Sequence, residues 1–366
     1  VRLIDEDALE RIAIGSTILG AGGGGDPYVG KLLAREEIRR YGPVPLVGLD
    51  ELAADAMACF VAGMGAPGVL VEKLPRASEA IRAVHVLQEA MEVEFTHIVP
   101  AEAGGLNAVV PFSAAALGLP VVDADGMGRA FPSLDLVTPT LYGGACTPLA
   151  MVDEHGNEMV LRTPTNLWAE NLARSFTLSS GCVTMMALYP MTGAQAREWL
   201  VPDVITLAED LGTLLQLSRA AHQDTVAAIV SHQNGVLLFE GRVTGVRRAN
   251  ERGWTIGEAT ITGTGRDQGS TMELRFQNEH LVALRDGDVV ASVPDLIMAL
   301  EHETGEPVPA EEIRYGYRVS VVGLPCDRRW RTEAGLAKAG PRAFGYDVDY
   351  RPVESAGMAD TVGASR

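Results

Sequence analysis

Four short segments of the chain crowd together residue types that do chemistry. The first is Gly22-Gly23-Gly24-Gly25-Asp26-Pro27-Tyr28. Consecutive glycines expose backbone N–H groups and let a ligand approach the main chain, and a helix opened by Asp26 and Pro27 adds the positive end of its dipole. That combination suits an anion or a developing oxyanion. No Gly-Lys-Ser/Thr follows, so the run is not a Walker loop, and the segment before it reads as helix, which argues against a dinucleotide fingerprint. The same glycines would equally serve an inter-helix loop needing left-handed backbone. The second segment is His97-Ile98-Val99-Pro100-Ala101-Glu102-Ala103-Gly104-Gly105-Leu106-Asn107. It sets Glu102, Gly105 and Asn107 just beyond an apolar strand, at the edge where open α/β sheets bind ligands. Glu102 would otherwise cap the next helix and His97 fill a core position.

The third segment, Val121-Val122-Asp123-Ala124-Asp125-Gly126-Met127-Gly128-Arg129-Ala130-Phe131-Pro132, carries two carboxylates at i and i+2. In extended chain they share a side, where they can hold a metal, polarise a water or raise one another's pKa. Arg129 can neutralise a carboxylate or fork onto a substrate carboxyl or ring amide. An Asp-Gly turn with a structural ion pair would use the same residues. The fourth segment, Gly340-Pro341-Arg342-Ala343-Phe344-Gly345-Tyr346-Asp347, repeats the Arg-Ala-Phe triplet around Arg342. Cys146 and Cys182 each follow small residues, as a nucleophile on a turn would, but a buried free thiol is the commoner use of such a cysteine. The chain has no HExxH, HxH or Gly-x-Ser-x-Gly, which removes the zinc-peptidase, amidohydrolase and α/β-hydrolase schemes.

The elements that must position these residues follow from the patterning. Residues 5–19 read as a helix and residues 28–40 as a second one. Short apolar runs at 45–47, 57–62, 97–99 and 121–122 fit buried parallel strands, separated by helical patterns at 78–91 and 107–117. Residues 151–160 form a hairpin, residues 166–176 a helix, and residues 182–188 an apolar run. After a helix over 202–220, strand signals dominate at 227–229, 235–244, 258–262, 270–277, 281–284, 289–292 and 315–322. The expected architecture is an α/β N-terminal domain with a mostly parallel sheet over residues 1–165. A β-rich C-terminal domain, a sandwich or a swivelling β/β/α-like unit, is expected over 166–366.

Composition narrows the class. The 366 residues carry 30 Lys plus Arg against 48 Asp plus Glu, a net charge of −18, so nucleic acid and anionic membrane surfaces are not expected partners. Four widely spaced cysteines fit neither a disulfide scaffold nor a zinc ribbon. An acidic N-terminal stretch and the lack of a bilayer-length apolar run point to a cytoplasmic protein.

Taken together, residues 22–28 (GGGGDPY), 102–107 (EAGGLN), 122–132 (VDADGMGRAFP) and 340–347 (GPRAFGYD) resemble the S-methyl thiohydantoin desulfurase family, whose members occur beside hydantoinase/oxoprolinase genes. The resemblance runs from about Ile12 to Val353. It implies a two-domain protein, an α/β domain followed by a β-rich one, and hydrolytic removal of a sulfur substituent from a five-membered thiohydantoin ring. Cys326-Asp327 departs from the apolar, Pro-rich stretch of relatives, which makes Cys326 a poor catalytic candidate.

Such a reaction needs an activated water, donors for developing charge, and an acid for the thiol. Asp123 or Asp125 is the expected base and Glu102 the expected acid. Gly23, Gly24, Asp26, Gly105 and Asn107 are expected to bind the ring, and Arg129 or Arg342 an anionic group on it. A divalent metal such as zinc, held among His97, Glu102, Asp123, Asp125 and Cys146, would supply the water by another route. No nucleotide is expected. The expected partners are the small ring substrate, hydantoinase subunits and further copies of the chain. A regulatory, non-catalytic companion of a hydantoinase, or a different cyclic-amide hydrolase, would share these features.

Overall fold

The Val-rich runs become the parallel centre of an eight-stranded sheet. Its first strands are β1 (Arg2–Ile4), β2 (Val44–Val47), β3 (Met57–Gly65), β4 (His97–Pro100) and β5 (Val121–Val122). Strands β2, β5, β4 and β3 pair in parallel, in that order. A two-residue strand, β6 (Ala124–Asp125), follows β5, and the hairpin is β7 (Leu149–Val152) with β8 (Glu158–Leu161). Strand β9 (Val183–Thr192) runs antiparallel between β3 and β7, and β1 closes the other edge antiparallel. Strand β10 (Val201–Pro202) pairs with β6. The central strands are buried on both faces, as parallel strands between helical layers must be. The carboxyl ends of β4 and β5 deliver the segments after residues 100 and 122 to one sheet edge.

The structure, a computed structural model, describes residues 1–65, 69, 76–251 and 254–356. It divides into two compact units, Val1–Ser16 with Gly24–Gly212 and Thr17–Gly23 with Thr213–Arg366. Helix α1 covers Glu6–Leu19. Helix α2, Pro27–Tyr41, starts as the sequence predicts: Asp26 is the N-cap, its carboxylate accepts from Tyr28 N at 2.8 Å, and Pro27 occupies the first turn. Helix α3, Ala77–Met91, buries Ala80, Ala83, Val84 and Leu87 against the sheet. The helix expected over 107–117 is instead two 3₁₀ pieces, Gly105–Ala108 and Val110–Leu117, with a kink at Ala114. Pro111 has no N–H to return to residue 107, so an α-helix cannot run through it. Helices α4 (Asn166–Ser179) and α5 (Val204–Ala220) follow in the chain.

In the second unit the apolar stretch around 227–229 is not a strand. It lies in helix α6, Thr225–His232, whose N-cap Asp224 accepts from Ala227 N at 2.9 Å. An apolar run this short carries no period that separates the two states, and the cap decides. Seven strands then form one antiparallel sheet: β11 (Val236–Glu251), β12 (Trp254–Gly263), β13 (Thr271–Gln277), β14 (Glu279–Arg285), β15 (Asp288–Ser292), β16 (Leu296–Glu301) and β17 (Arg318–Leu324). Their order is β15-β14-β13-β12-β11-β17-β16, and the sheet curls into a half-barrel that brings β16 back beside β14. The alternation read in 272–276 is observed: Met272, Leu274 and Phe276 point into the core with Phe239, Ile261 and Val321. Among the described residues no helix is long and apolar enough to cross a membrane.

Within the first unit, α1 and α5 touch main chain to main chain. A Cβ at Gly15 would overlap the carbonyl oxygen of Ala208, and one at Gly212 would overlap that of Arg11. Arg11 then reaches Glu209, Nη2 to Oε1 at 2.7 Å, beside the crossing. Gly212→Ala is therefore expected to cost about 1–3 kcal/mol by forcing the helices apart. Thermal unfolding checks this, and an unchanged melting temperature would show that the crossing yields without penalty.

Candidate functional site

Asp125 organises the edge where β4 and β5 end. Fully buried, it accepts at Oδ2 from Ala103 N (2.6 Å) and at Oδ1 from Met127 N (3.0 Å) and Gly128 N (2.7 Å). One carboxylate thus joins the loop after β4 to the loop after β5, and Gly126 N adds a bond to Ala101 O at 3.0 Å. Gly126 must lack a side chain, because a Cβ there would lie 2.8 Å from the Phe60 ring.

Glu102 sits on the loop so fixed, 6% exposed. Its Oε1 accepts from Asn107 Nδ2 at 2.7 Å, and Phe131 N lies 3.4 Å from Oε2. The Asn107 amide is oriented by β3, since Gly63 N donates to its Oδ1 at 2.7 Å and Gly63 O accepts from its Nδ2 at 3.3 Å. Arg129 is fully buried, donates through Nε to Ala130 O at 2.9 Å, and places its guanidinium carbon 4.6 Å from the centre of the Phe131 ring.

The second half of the glycine run closes on the same loop. Leu106 N donates to Gly24 O at 2.9 Å. A Cβ at Gly24 would stand 2.6 Å from Gly104 O, and one at Gly105 would overlap the carbonyls of Gly24 and Gly25. Gly24 (φ 77°), Gly25 (φ 73°) and Gly105 (φ 64°) also hold left-handed backbone that other residues resist. Residues 24–25, 102–107 and 125–131 therefore meet, and Glu102, Gly24, Gly105, Asn107, Asp125 and Arg129 are gathered there.

The remaining expected residues lie elsewhere or do other work. Asp123 turns away to helix α5: its Oδ1 accepts from Ile205 N (2.9 Å) and Thr206 N (3.1 Å), and Thr206 Oγ1 bonds its Oδ2. It satisfies N–H groups of that helix's first turn from 82 residues away in sequence. Asp26 is spent as the cap of α2. His97 stands at the opposite end of β4 from Glu102, with Nδ1 2.8 Å from Thr96 Oγ1, and partial burial lowers its pKa. Cys146 is buried, and burial together with the Glu170 and Asp135 carboxylates pushes its thiol well up, so it is a poor nucleophile. Arg342, in the second unit, is exposed and paired with Asp347 (2.6 Å) and Asp349 (3.0 Å). Among the described residues no three His, Cys, Asp or Glu side chains are grouped to hold a metal ion. His97, Glu102, Asp123, Asp125 and Cys146 do not converge.

The second unit holds a pair that sequence reasoning missed. Glu279 and His280 open β14 and are both buried, 2% and 0% exposed. They clamp the first half of the glycine run. His280 N donates to Ala21 O and Ala310 N to Gly22 O, while a Cβ on Gly22 or Gly23 would overlap the His280 ring or the Glu279 carboxylate. His280 Nδ1 lies 3.1 Å from Ile297 O; a carbonyl only accepts, so Nδ1 carries a proton. A Glu-His dipeptide leading an apolar strand was the available signal.

Fold and site together define a two-domain protein in which an α/β unit gathers a buried glutamate, aspartate and arginine beside tightly packed glycine turns. The description "S-Me-THD-like, N-terminal domain" matches residues 7–163 and "S-Me-THD-like, C-terminal domain" matches residues 164–353. The chain belongs to this family, the one its four motifs resemble. The crystal structure of a protein from Chromobacterium violaceum is similar, with a TM-score of 0.79 at 26% identity over 96% of this chain and 100% of that one. No curated protein matches.

Asp125→Asn removes the charge and leaves one oxygen for three N–H donors. It is expected to cost about 2–3 kcal/mol and to lower the melting temperature by several degrees. Arg342→Ala should leave the melting temperature unchanged. A calorimetric scan separates the two, and equal melting temperatures would deny Asp125 its organising part.

Proposed function

We propose that the chain hydrolyses an S-substituted thiohydantoin. Water adds to the ring carbon that bears sulfur, the C–S bond breaks, the sulfur leaves as a thiol carrying one of the water's protons, and the ring keeps the oxygen as a hydantoin carbonyl and the other proton on the adjacent ring nitrogen. The observation that carries this reading is the match to the S-Me-THD-like family over residues 7–353.

The geometry supports a division of labour. Glu102 takes the part of the proton-transfer group, its carboxylate steered by Asn107 and placed among the glycine turns. Asn107 fixes its rotamer through Gly63. Asp125 and Asp123, each saturated by main-chain N–H donors, position the loops instead of exchanging protons. Arg129 offers its guanidinium for the carbonyl or anionic edge of the ring, at a buried place where one fixed cation outweighs the repulsion of a net charge of −18.

The test is purified protein with a panel of S-methyl thiohydantoins and hydantoins, following thiol release before and after chelation. Turnover by the chain alone supports the reading. Absence of thiol release, with ring opening of hydantoins in its place, would assign it to another cyclic-amide chemistry. Inertness until a hydantoinase is added would make it a regulatory companion. Within the reading, Glu102→Gln should lower kcat about 10²–10⁴-fold with the melting temperature kept. A loss under threefold would remove Glu102 from proton transfer.

A further inference from the structure

Strand β9 is irregular where a central strand should be regular. Pro190 has no N–H to give to a ladder, and a proline well inside a sheet belongs to a bulge. The register contains one: Ala58 faces Met191 and Phe60 faces Leu188, so Tyr189 and Pro190 together stand opposite Cys59. Tyr189 takes left-handed backbone there, φ 49°, which an aromatic residue holds only where its surroundings over-determine it. Bulges re-aim a side chain and recur beside active sites. The Tyr189 side chain is aimed inward, 1% exposed, with its ring 5.5 Å from that of Phe60 and tilted by 56°. Its hydroxyl shares a 2.9 Å hydrogen bond with Thr140 Oγ1, to which Asn166 Nδ2 also donates at 3.1 Å. Burial first, then the nearby Cys146, holds that hydroxyl well above the usual phenol range, so it bonds as a neutral group.

Both contacts of Tyr189 lead to the turn that Asp125 holds. Phe60 is the ring that leaves Gly126 no room for a side chain. Thr140 belongs to the four-residue helix Thr138–Leu141, whose first residue donates from Thr138 N to Gly126 O at 2.5 Å. A helix of one turn cannot hold itself, so its outside ties set its place. On its other side the Gly126 peptide donates to Ala101 O at 3.0 Å, next to Glu102 in sequence. We propose that Tyr189 is a positioning residue of the candidate site. Through Phe60 and through helix 138–141 it fixes the Gly126 peptide from two directions, and with it the spacing of the loops that carry Glu102 and Arg129. The inference deepens the proposed hydrolysis and rests on it for the effect on rate; the effect on the loops stands apart from it.

The experiment compares the full wild-type chain with Tyr189→Phe, which keeps the ring against Phe60 and removes the hydroxyl. Hydrogen exchange followed by mass spectrometry needs no substrate and reads residues 101–107 and 123–131; thiol release from an S-methyl thiohydantoin reads kcat and KM. The expected result is exchange about tenfold faster in those two stretches and unchanged in residues 271–285, with kcat about tenfold lower and KM within about twofold. The melting temperature should fall by less than about 4 °C. Thr140→Val removes the same bond from its other end and should copy Tyr189→Phe, which keeps the test open should that variant not fold. Thr140→Ser retains the hydroxyl and should retain wild-type rates, and the double variant Tyr189→Phe/Thr140→Val should lose no more than either single one. Unchanged exchange in 101–107 and 123–131 overturns the proposal. So does faster exchange throughout the chain, or, in an active wild type, a kcat that Tyr189→Phe leaves within about twofold. A wild type that releases no thiol ends the proposed hydrolysis on its own account, and the exchange result then decides alone whether Tyr189 holds the turn.

Discussion

A single buried carboxylate accepting three main-chain N–H bonds holds the candidate site in shape. Each of those donors, on residues 103, 127 and 128, would be stranded in an apolar sheet edge without Asp125, and stranded donors are costly. The loops they belong to have no regular hydrogen-bond ladder of their own. Asp125 is therefore a substitute for secondary structure, and the placement of Glu102 and Arg129 inherits its precision.

The same device recurs through the chain. Asp123 supplies the first turn of α5, and Asp267 takes Glu240 N at 2.8 Å and Arg285 at 2.7 Å beneath the half-barrel. Asp295, fully buried, receives Cys326 N, Arg331, the Tyr350 hydroxyl and Val353 N, binding the last described segment to β16. A chain with few aromatic residues has limited means of fixing long loops by packing. Buried aspartates that collect main-chain donors are the alternative, because their short side chain brings the charge close to the backbone and loses little rotamer freedom.

Local patterns made much of the architecture legible. Residues 57–62, 97–99 and 121–122 betray buried parallel strands because a strand covered on both faces needs an unbroken apolar run, and Asp26-Pro27 betrays α2 because cap and first turn are adjacent in sequence. What escaped depends on distance or on competition. The bonds of Asp123 escaped because the start of α5, from which it accepts, lies 82 residues on. Glu279 and His280 escaped for the same reason, their contacts being with residues 21–23. Residues 107–117 had a helical period, but Pro111 and a crowded loop converted it to 3₁₀ turns. Clustering of chemical residue types at strand ends is visible in a local window; the main-chain donors that Asp123 collects from α5 lie outside any such window.

The glycine run has two halves with different evolutionary prospects. At Gly24 and Gly105 the atoms that forbid a side chain are main-chain carbonyls, which every residue type possesses. No second substitution elsewhere can relieve such an overlap, so these positions are closed to drift. At Gly23 the obstacle is the Glu279 side chain, and its φ lies outside the left-handed region. There an alanine becomes admissible once residue 279 shortens. Gly23 is thus tied to a side chain that can change, whereas the Gly24–Gly105 lock is made of main chain alone.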